Sequence, residues 1–314
     1  MYYLGIDVGG MSIKGGLIDE KGNILFKESV PTKPERDYKD IIADMATLCE
    51  TLIKKENLDK QEIKGIGVGI PGTIDVEKGV IVYANNINFK KVPIEKELSK
   101  YFSCPIHIGN DANVAAFGEL KFGTGKGVRD LILITLGTGI GTGIIVDNKI
   151  ILGKGGAGGE GGHIGFIYNG RKCSCGKNGC WEAYASASAL IKMTEKSISK
   201  NPEGLLAELA RQEGKVSGKT AFIAEKNGDK EAKRIVSNYI KYVSDGIISL
   251  VNIFRPDLVL IGGGISNEGD ALMKRIQRRV NRFSYGGNIN PKITVKKALL
   301  MNDAGILGAA ALCL

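Results

Sequence analysis

Apolar and polar positions near the N-terminus alternate between short strand-like runs and turn residues. The runs YYLGIDV, IKGGLID and ILFKESV are separated by GGMS and EKGN, a pattern that predicts a three-stranded meander. A helical stripe follows, with apolar residues at Ile41, Met45, Leu48 and Leu52. Strand, hairpin and helix patterns then interleave as far as the helix predicted for DANVAAFGELKFG. This part of the chain therefore indicates an α/β unit.

The opening pattern returns further along the chain. Residues 6–9, IDVG, correspond to residues 134–137, ITLG, and at the same offset Asp19 corresponds to Asp147. Two strand, glycine-turn, strand segments in one chain favour a duplicated fold. Chance stays open as an explanation, because glycine turns between apolar strands are common.

The remaining elements also alternate. EAYASASALIKMTEKS is predicted to be helical, and KEAKRIVSNYIKYVSDGIISLVNIF is predicted to be one long helix. A strand and a glycine turn, RPDLVLIGGGIS, precede a basic helix, a strand KITVKKA and a closing helix, DAGILGAAAL. The fold class expected for the whole chain is therefore α/β.

Composition narrows the range of functions. The chain has 314 residues, of which 43% are hydrophobic and 25% charged, as in ordinary globular proteins. It shows no N-terminal targeting pattern and no stretch near the roughly 18 apolar residues that a membrane span needs, so we expect a cytoplasmic protein without a membrane partner. The net charge of +9 leaves nucleic acid open as a partner. Because the lysines are scattered, we expect a solvated basic surface and no nucleic-acid binding.

Three glycine turns follow strands: DVGGMSIK, LGTGIGTG and LIGGGIS. Such turns let backbone N–H groups converge on an anion, although each can also be no more than a tight turn. Neither standard nucleotide motif applies. GVGIPG, residues 67–72, is followed by a strand pattern where a helix should begin, and GKVSGKT, residues 214–220, has the wrong spacing and no preceding strand.

Two places along the chain offer carboxylates for phosphoryl chemistry. Asp7 ends the first strand beside glycine amides, where it can hold Mg²⁺ and Lys14 can neutralise charge; a turn-capping role is the alternative. Asn110 and Asp111 lie where a strand gives way to a helix, a position that usually holds a helix cap. One cap suffices, which leaves a carboxylate able to accept a proton from an attacking hydroxyl.

Cysteine and histidine concentrate in one segment, GGHIGFIYNGRKCSCGKNGCWEA. His163, Cys173, Cys175 and Cys180 suit a tetrahedral Zn²⁺ site, and four protein ligands leave no open position, so the metal is expected to be structural. The Cys-x-Cys-x4-Cys spacing is not a common finger spacing. A group of buried thiols therefore stays open as the alternative.

Taken together, the motifs resemble, over the whole chain, the ROK family of sugar kinases, and most closely its bacterial glucokinase branch. The matching segments are DVGGMSIKGG, GIPGTID, NDANVAAFGE, LGTGIGTG, GGEGGHIG, CSCGKNGCWEAYAS and LIGGGIS. The resemblance implies a two-lobe actin-like (ribonuclease-H-like) ATPase fold with duplicated mixed-sheet domains and an interlobe cleft. It also implies transfer of the γ-phosphoryl of ATP, with Mg²⁺, to the 6-hydroxyl of glucose, and it supports the structural zinc.

The resemblance also implies roles for individual residues. It makes Asp111 the general base. The sugar ligands it implies are Asn86, Asn110, Glu160, His163 and Glu182. On the phosphate side it implies Asp7, Gly9, Gly10, Ser12, Lys14, Thr138 and Gly139, and on the adenosine side Gly263 and Gly264. Two departures from the family pattern stand out: Ile87 and Phe89 replace a leucine and a tryptophan near Asn86, and Ser12 takes the place of a threonine hydroxyl one position earlier.

The resemblance also leads to expectations about lobes, substrates, subunit number and alternative functions. The smaller lobe is expected to contain residues 1–115 and 303–314, and the larger lobe residues 116–302. Other substrates implied by the family are N-acetylmannosamine, N-acetylglucosamine and fructose, and polyphosphate is a further possible donor. A homodimer or homotetramer is expected. A non-catalytic sugar-responsive regulator is a rival, but the repressors of the family carry an N-terminal helix-turn-helix module, for which we expect no room before the strand that starts at Tyr2.

Overall fold

The computed structural model describes residues 1–84 and 87–314. The chain forms two compact units. The first contains Met1–Leu131, Gly143–Gly159 and Leu299–Leu314, and the second contains Ile132–Thr142 and Glu160–Ala298. The expected lobe bounds, 1–115 with 303–314 and 116–302, stay a prediction.

A five-stranded mixed sheet organises the first unit. Its strands follow the order β3-β2-β1-β4-β8, and their bounds are β1 Tyr2–Val8, β2 Ser12–Asp19, β3 Ile24–Pro31, β4 Ile63–Ile70 and β8 Ile106–Asn110. The antiparallel pairs β1–β2 and β2–β3 form the predicted meander. Strands β4 and β8 continue the sheet in parallel pairing.

Helices cover this sheet, and a small sheet lies beside it. The helices are α1 Tyr38–Lys55, α2 Ile94–Leu98, α3 Asp111–Phe122 and α10 Ala304–Ala311, and the three-stranded sheet contains β5 Thr73–Asp75, β6 Val80–Ala84 and β7 Phe89–Val92. The stripe on α1 packs its fully buried apolar side chains into one core with those of β1, β2 and β4. Burial of this stripe, more than helix propensity, stabilises α1.

A second five-stranded sheet repeats the topology of the first. Its order is β11-β10-β9-β12-β13, with β9 Leu131–Leu136, β10 Ile140–Val146, β11 Lys149–Ile150, β12 Leu258–Gly262 and β13 Thr294–Lys297. In both sheets the first strand is central, its two successors lie on one side, and two later strands lie on the other. The predicted duplication of the strand, glycine-turn, strand unit is therefore confirmed in the topology.

The helices of the second unit follow the predicted order with two differences. They are α4 Glu182–Ala185, α5 Ala187–Ile198, α6 Leu205–Gln212, α7 Thr220–Lys226, α8 Lys230–Phe254 and α9 Asp270–Phe283. The segment predicted as one helix after Trp181 is divided at Ser186, whose extended backbone ends α4 while its hydroxyl accepts from the Ala189 amide to cap α5. Sequence analysis did not predict α6 and α7.

Every helix among the described residues is too short or too polar to cross a lipid bilayer.

A buried carboxylate ties α3 to the segment before α10. Glu119 has no solvent exposure, and its two oxygens accept from the amides of Leu300 at 2.6 Å and Thr124 at 3.0 Å. Burial raises the pKa of Glu119, and hydrogen bonds from the backbone amides of Leu300, Thr124 and Leu299 oppose that shift. The side chain therefore accepts from two backbone amides on segments far apart in the sequence.

Replacing Glu119 by alanine should lower the free energy of unfolding by about 2–4 kcal/mol, because two partly buried amides lose their acceptor. Urea denaturation followed by circular dichroism measures the change. Glu195→Ala, an exposed residue of α5, is the matched control and should change stability by less than about 0.5 kcal/mol. Equal stability of the two variants would show that Glu119 is not a structural tie.

Candidate functional site

The carboxyl ends of three parallel strands bring the predicted acidic residues of the first unit together. In the sheet register, Asp7 of β1 is opposite Gly69 of β4, and Gly69 is opposite Gly109 of β8. Asp111 follows Gly109 by two positions as the first residue of α3. Carboxyl ends of parallel strands share one sheet edge, where α/β proteins place their ligands.

Asn110 is the helix cap that the tandem pair was expected to contain. Its Oδ1 accepts from the amides of Ala112 at 3.0 Å and Asn113 at 3.3 Å, and its Nδ2 donates to the Gly72 carbonyl at 3.0 Å. These contacts fix the rotamer of Asn110 and show that Asn110, and not Asp111, is the N-cap of α3. The carboxylate that one cap leaves over is therefore Asp111, as predicted.

Asp111 combines solvent access with crowded surroundings. Water reaches its side chain, and its Oδ1 accepts from the Ala112 amide at 2.9 Å. Desolvation by the surrounding protein raises the pKa of Asp111, while hydrogen bonds from backbone amides and Asn110 oppose the shift. A carboxylate with a raised pKa is a stronger base than an ordinary surface aspartate.

Asp7 is held between opposing charges. Lys14 lies directly across the β1–β2 ladder, with its Nζ 3.7 Å from Asp7 Oδ2. Desolvation raises the pKa of Asp7; Lys14 lowers it, and the charge of Asp111 raises it again. Gly305 of α10 also contacts this carboxylate closely, since a Cβ added there would lie 2.5 Å from Asp7 Cγ. Glycine at 305 therefore gives the carboxylate its space.

The first glycine turn, residues 9–11, is fastened from two directions. The Gly9 amide donates to the Ser12 carbonyl at 2.9 Å, and the Thr32 hydroxyl donates to the Gly9 carbonyl at 2.6 Å. Thr32 is fully buried just beyond β3, and sequence analysis did not identify it. Its burial and its contact with Gly9 depend on tertiary packing, so no local pattern in the sequence marks Thr32. Ser12 begins β2 directly after this turn.

The second glycine turn, residues 137–139, borders a cavity of about 420 Å³. Two predicted residues, Thr138 and Gly264, line it. Gly263 precedes Gly264 with a positive φ of 79° and packs against the Leu136 backbone, which keeps the third glycine turn close to the second. The size of the cavity is in the range of small-ligand sites.

One wall of this cavity contains residues that the sequence did not predict as site residues. Glu213, Lys215 and the residues before α7 line it, together with Ile265 and Glu268. The wall includes part of GKVSGKT, which failed as a phosphate loop because of its spacing. No local pattern identifies it, because the segment reaches the cavity only through the packing of α6 and α7.

The predicted metal ligands converge. One ligand atom each from His163, Cys173, Cys175 and Cys180 lies within 4.8 Å of the others. Cys175 Sγ is 3.6 Å from Cys180 Sγ, and Cys173 Sγ is 3.6 Å from His163 Nδ1. Sulfur atoms bound to one tetrahedral Zn²⁺ lie about 3.7 Å apart, so the four residues fit that ion.

Chemistry supports the same fit. Burial raises the pKa of Cys180, and hydrogen bonds with the neighbouring thiols add to the shift. Thiolates in such a cluster need a cation to be stable. Because His163 directs Nδ1 toward Cys173, its Nε2 remains on the opposite side of the ring.

The two predicted glutamates lie on either side of this cysteine loop, residues 163–180. Glu160 precedes a short 3-10 turn and accepts from the His163 amide through its carbonyl at 3.0 Å. Glu182 begins α4, and its Oε2 accepts from the Ile140 amide at 2.9 Å. The loop ends at Trp181, which is fully buried and donates through Nε1 to the Tyr242 carbonyl at 2.8 Å. Trp181 therefore fixes the start of α4.

The structure sorts the predicted residues into two sets. The set in the first unit is Asp7, Gly9, Gly10, Ser12, Lys14, Asn110 and Asp111. The set in the second unit is Thr138, Gly139, Glu160, His163, Cys173, Cys175, Cys180, Glu182, Gly263 and Gly264. Asn86 lies outside the described residues.

The fold defines a class of protein. It is an α/β protein with two mixed sheets of the same strand order, each with a glycine turn after its first strand, as in actin-like sugar kinases. The chain belongs to the ROK family, which matches residues 3–314. It is 36% identical over 310 residues to a glucokinase of Streptomyces coelicolor, covering 98% of this chain and 96% of that one.

Two other known proteins are similar to this chain. A crystal structure of a ROK family glucokinase from Streptomyces griseus, in complex with glucose and AMPPNP, superposes with a TM-score of 0.83 at 33% identity, with 99% of each chain covered. A xylose repressor of Caldicellulosiruptor bescii is 32% identical over 310 residues, covering 98% of this chain and 77% of the repressor. Both kinases and regulators are therefore among the relatives.

Replacing Asp111 by asparagine should lower the pKa of Asp7, because the negative charge that disfavours ionisation of Asp7 is removed. Replacing Lys14 by methionine should raise the pKa of Asp7. Carbon-detected NMR titration of aspartate carboxyl groups measures both shifts. Asp19→Asn, at the other end of β2, is the control and should leave the Asp7 titration unchanged. An unchanged Asp7 titration in the Asp111 variant would show that the charge of Asp111 does not act on Asp7.

Proposed function

We propose that this chain is an ATP-dependent hexose kinase that transfers the γ-phosphoryl of MgATP to the 6-hydroxyl of glucose. The observation that carries the proposal is Asp111, a carboxylate of raised pKa that follows the N-cap of α3 at the same sheet edge as the Asp7–Lys14 pair. The glucokinase relatives, and glucose with AMPPNP in the related crystal structure, support glucose as the acceptor and ATP as the donor.

Each residue at this sheet edge has a proposed role in phosphoryl transfer. Asp111 accepts the proton of the attacking sugar hydroxyl, and a base of this kind contributes about 10²- to 10⁴-fold in rate. Asp7 holds Mg²⁺ directly or through water, and Lys14 offsets phosphate charge. When bound, MgATP supplies the phosphoryl group and most of the charge that must be stabilised. The amides of Gly10, Thr138 and Gly139 donate to phosphate oxygens, and Gly9 shapes the first glycine turn.

Most of the proposed sugar and adenosine ligands belong to the second unit. The proposed partners of sugar hydroxyls are Glu160, Glu182 and His163 Nε2, with Asn110 beside the base. Asn86 is a further proposed sugar ligand. The cavity lined by Thr138 and Gly264 is the proposed adenosine site, with Gly263 holding the third turn in place. Zn²⁺ is the proposed structural ion of the cysteine loop, where it orients His163. A cytoplasmic location and a homodimer or homotetramer are part of the same proposal.

A sugar-responsive regulator is the second candidate, because a xylose repressor is among the relatives. An assay of ADP release over glucose, fructose, N-acetylglucosamine and N-acetylmannosamine decides between the candidates and ranks the acceptors. Polyphosphate in place of ATP tests the donor. Binding of sugar without ADP release from any acceptor would favour the regulator.

Replacing Asp111 by asparagine should lower kcat by about 10²- to 10⁴-fold, because the proton acceptor is lost. Binding of glucose and of a non-hydrolysable ATP analogue should stay largely intact by calorimetry. Asp40→Asn, an exposed acid in the first turn of α1, is the matched control and should keep full activity. Phosphorylation near the parent rate by the Asp111 variant would refute its role as base.

The pH profile gives an independent check of the same base. Asp111 must be ionised to accept a proton, so kcat/KM should fall as pH drops through its pKa. Since the pKa of Asp111 is raised from its ordinary value of 3.8, the acid limb should lie above that value. The Asp111→Asn variant should lose this limb.

The purified protein should contain one Zn²⁺ per chain, because four ligand atoms lie within 4.8 Å of one another. Cys175→Ser should reduce the zinc content measured by atomic emission, and a chelator should lower the Tm of the parent protein. Cys104→Ser, outside the cluster, is the control and should retain the metal. Zinc-free protein with unchanged Tm in chelator would rule out a structural ion.

A further inference from the structure

Glu182 receives hydrogen bonds from two separate segments of the second unit. Its Oε2 accepts from the Ile140 amide at 2.9 Å, at the point where the second glycine turn enters β10. Its Oε1 accepts from the Ser174 hydroxyl at 3.1 Å and lies 3.6 Å from Cys173 Sγ. One carboxylate therefore joins the cysteine loop to the second glycine turn.

Little freedom remains for this carboxylate to rearrange. Trp181, the preceding residue, is fully buried and hydrogen-bonded to the Tyr242 carbonyl, so the backbone at the start of α4 is fixed. On the other side, a Cβ added at Gly139 would lie 2.3 Å from Glu182 Oε2. The turn and the carboxylate are thus in close contact, and a shift of Glu182 must disturb the turn.

Metal in the cysteine loop would fix the position of the Ser174 donor. Ser174 lies between two of the proposed ligands, Cys173 and Cys175, so a bound ion would hold the chain on both sides of the serine. Its hydroxyl is the side-chain hydroxyl that the structure places on Glu182 Oε1. The serine therefore matters more in the loaded protein than in the chelated one.

We propose that Ser174 is a positioning residue which, through Glu182, couples metal in the cysteine loop to the second glycine turn. Metal in the loop then sets the order of the turn, and with it the affinity for the nucleotide phosphates, in addition to orienting the sugar ligands. The nucleotide part rests on the proposed function; the coupling to the turn does not. A carboxylate has about four acceptor sites, so Glu182 can hold the turn and still accept a sugar hydroxyl.

The first test measures exchange of the Ile140 amide hydrogen, resolved by NMR with labelled isoleucine nitrogen and glycine carbonyl carbon. In zinc-loaded protein, Ser174→Ala should speed this exchange about 3- to 10-fold, the loss expected for one hydrogen bond. Ser174→Thr keeps the hydroxyl and should restore slow exchange. After chelation, Ser174→Ala and the parent should differ little, because the loop no longer holds the Ser174 hydroxyl in place.

Ser199→Ala, an exposed serine at the end of α5, is the matched control and should exchange like the parent at Ile140. Unchanged Ile140 exchange in loaded Ser174→Ala would overturn the proposal. So would equal acceleration in the Ser199 variant, or an effect of Ser174→Ala that is the same with and without zinc.

The second test titrates a non-hydrolysable ATP analogue into the loaded proteins by calorimetry. Ser174→Ala should weaken binding about 3- to 10-fold at an unchanged Tm, and Ser174→Thr should bind like the parent. Parent-like affinity in Ser174→Ala, with fast Ile140 exchange, would overturn the nucleotide part of the proposal. If the parent protein binds no nucleotide, the proposed kinase function fails, whereas Ile140 exchange still decides the coupling.

Discussion

Two like-charged carboxylates at one edge of a parallel sheet are the constraint on which the candidate site depends. The register that places Asp7 opposite Gly69, and Gly69 opposite Gly109, brings Asp111 near enough for its charge to raise the pKa of Asp7. Such an arrangement is unfavourable unless cations compensate it. Lys14 supplies one positive charge from the neighbouring strand. In the proposed function, a divalent ion bound together with phosphate supplies further positive charge beside the two carboxylates.

Packing and hydrogen bonds from other elements hold these two carboxylates in place. Asn110 takes the capping role, so Asp111 is free for chemistry. Gly305 leaves room for the Asp7 carboxylate where a methyl group would collide with it. Glu119 ties α3, which carries Asp111, to the segment from which α10 begins. Residues far apart along the chain therefore hold two carboxylates at fixed places on one sheet edge.

The second unit uses a different device for the same purpose. A cluster of one imidazole and three thiols is suited to a closed metal site, and a closed site contributes rigidity instead of reactivity. Trp181 extends that rigidity to α4, and Glu182 extends it to the second glycine turn. The cluster thus stands at the centre of a chain of contacts that reaches two of the proposed ligand sites.

The sequence by itself determined the class of fold and most of the candidate residues. Strand and helix periodicities are local, so the meander, α1, α8 and the duplicated glycine turns could be predicted from short windows. The Asn110 and Asp111 tandem and the Cys and His cluster were also visible, because capping and metal ligation impose residue types at close spacing.

Tertiary structure decided the rest. Ser186 divides the helix predicted after Trp181, and the preceding pattern is equally compatible with one helix or two. Thr32, Gly305 and the segment of residues 213–219 contact the candidate sites from distant parts of the chain. The contact of Ser174 with Glu182 likewise depends on how the cysteine loop folds back. Contacts of this kind depend on the packing of whole elements, and no local pattern of residues contains that information.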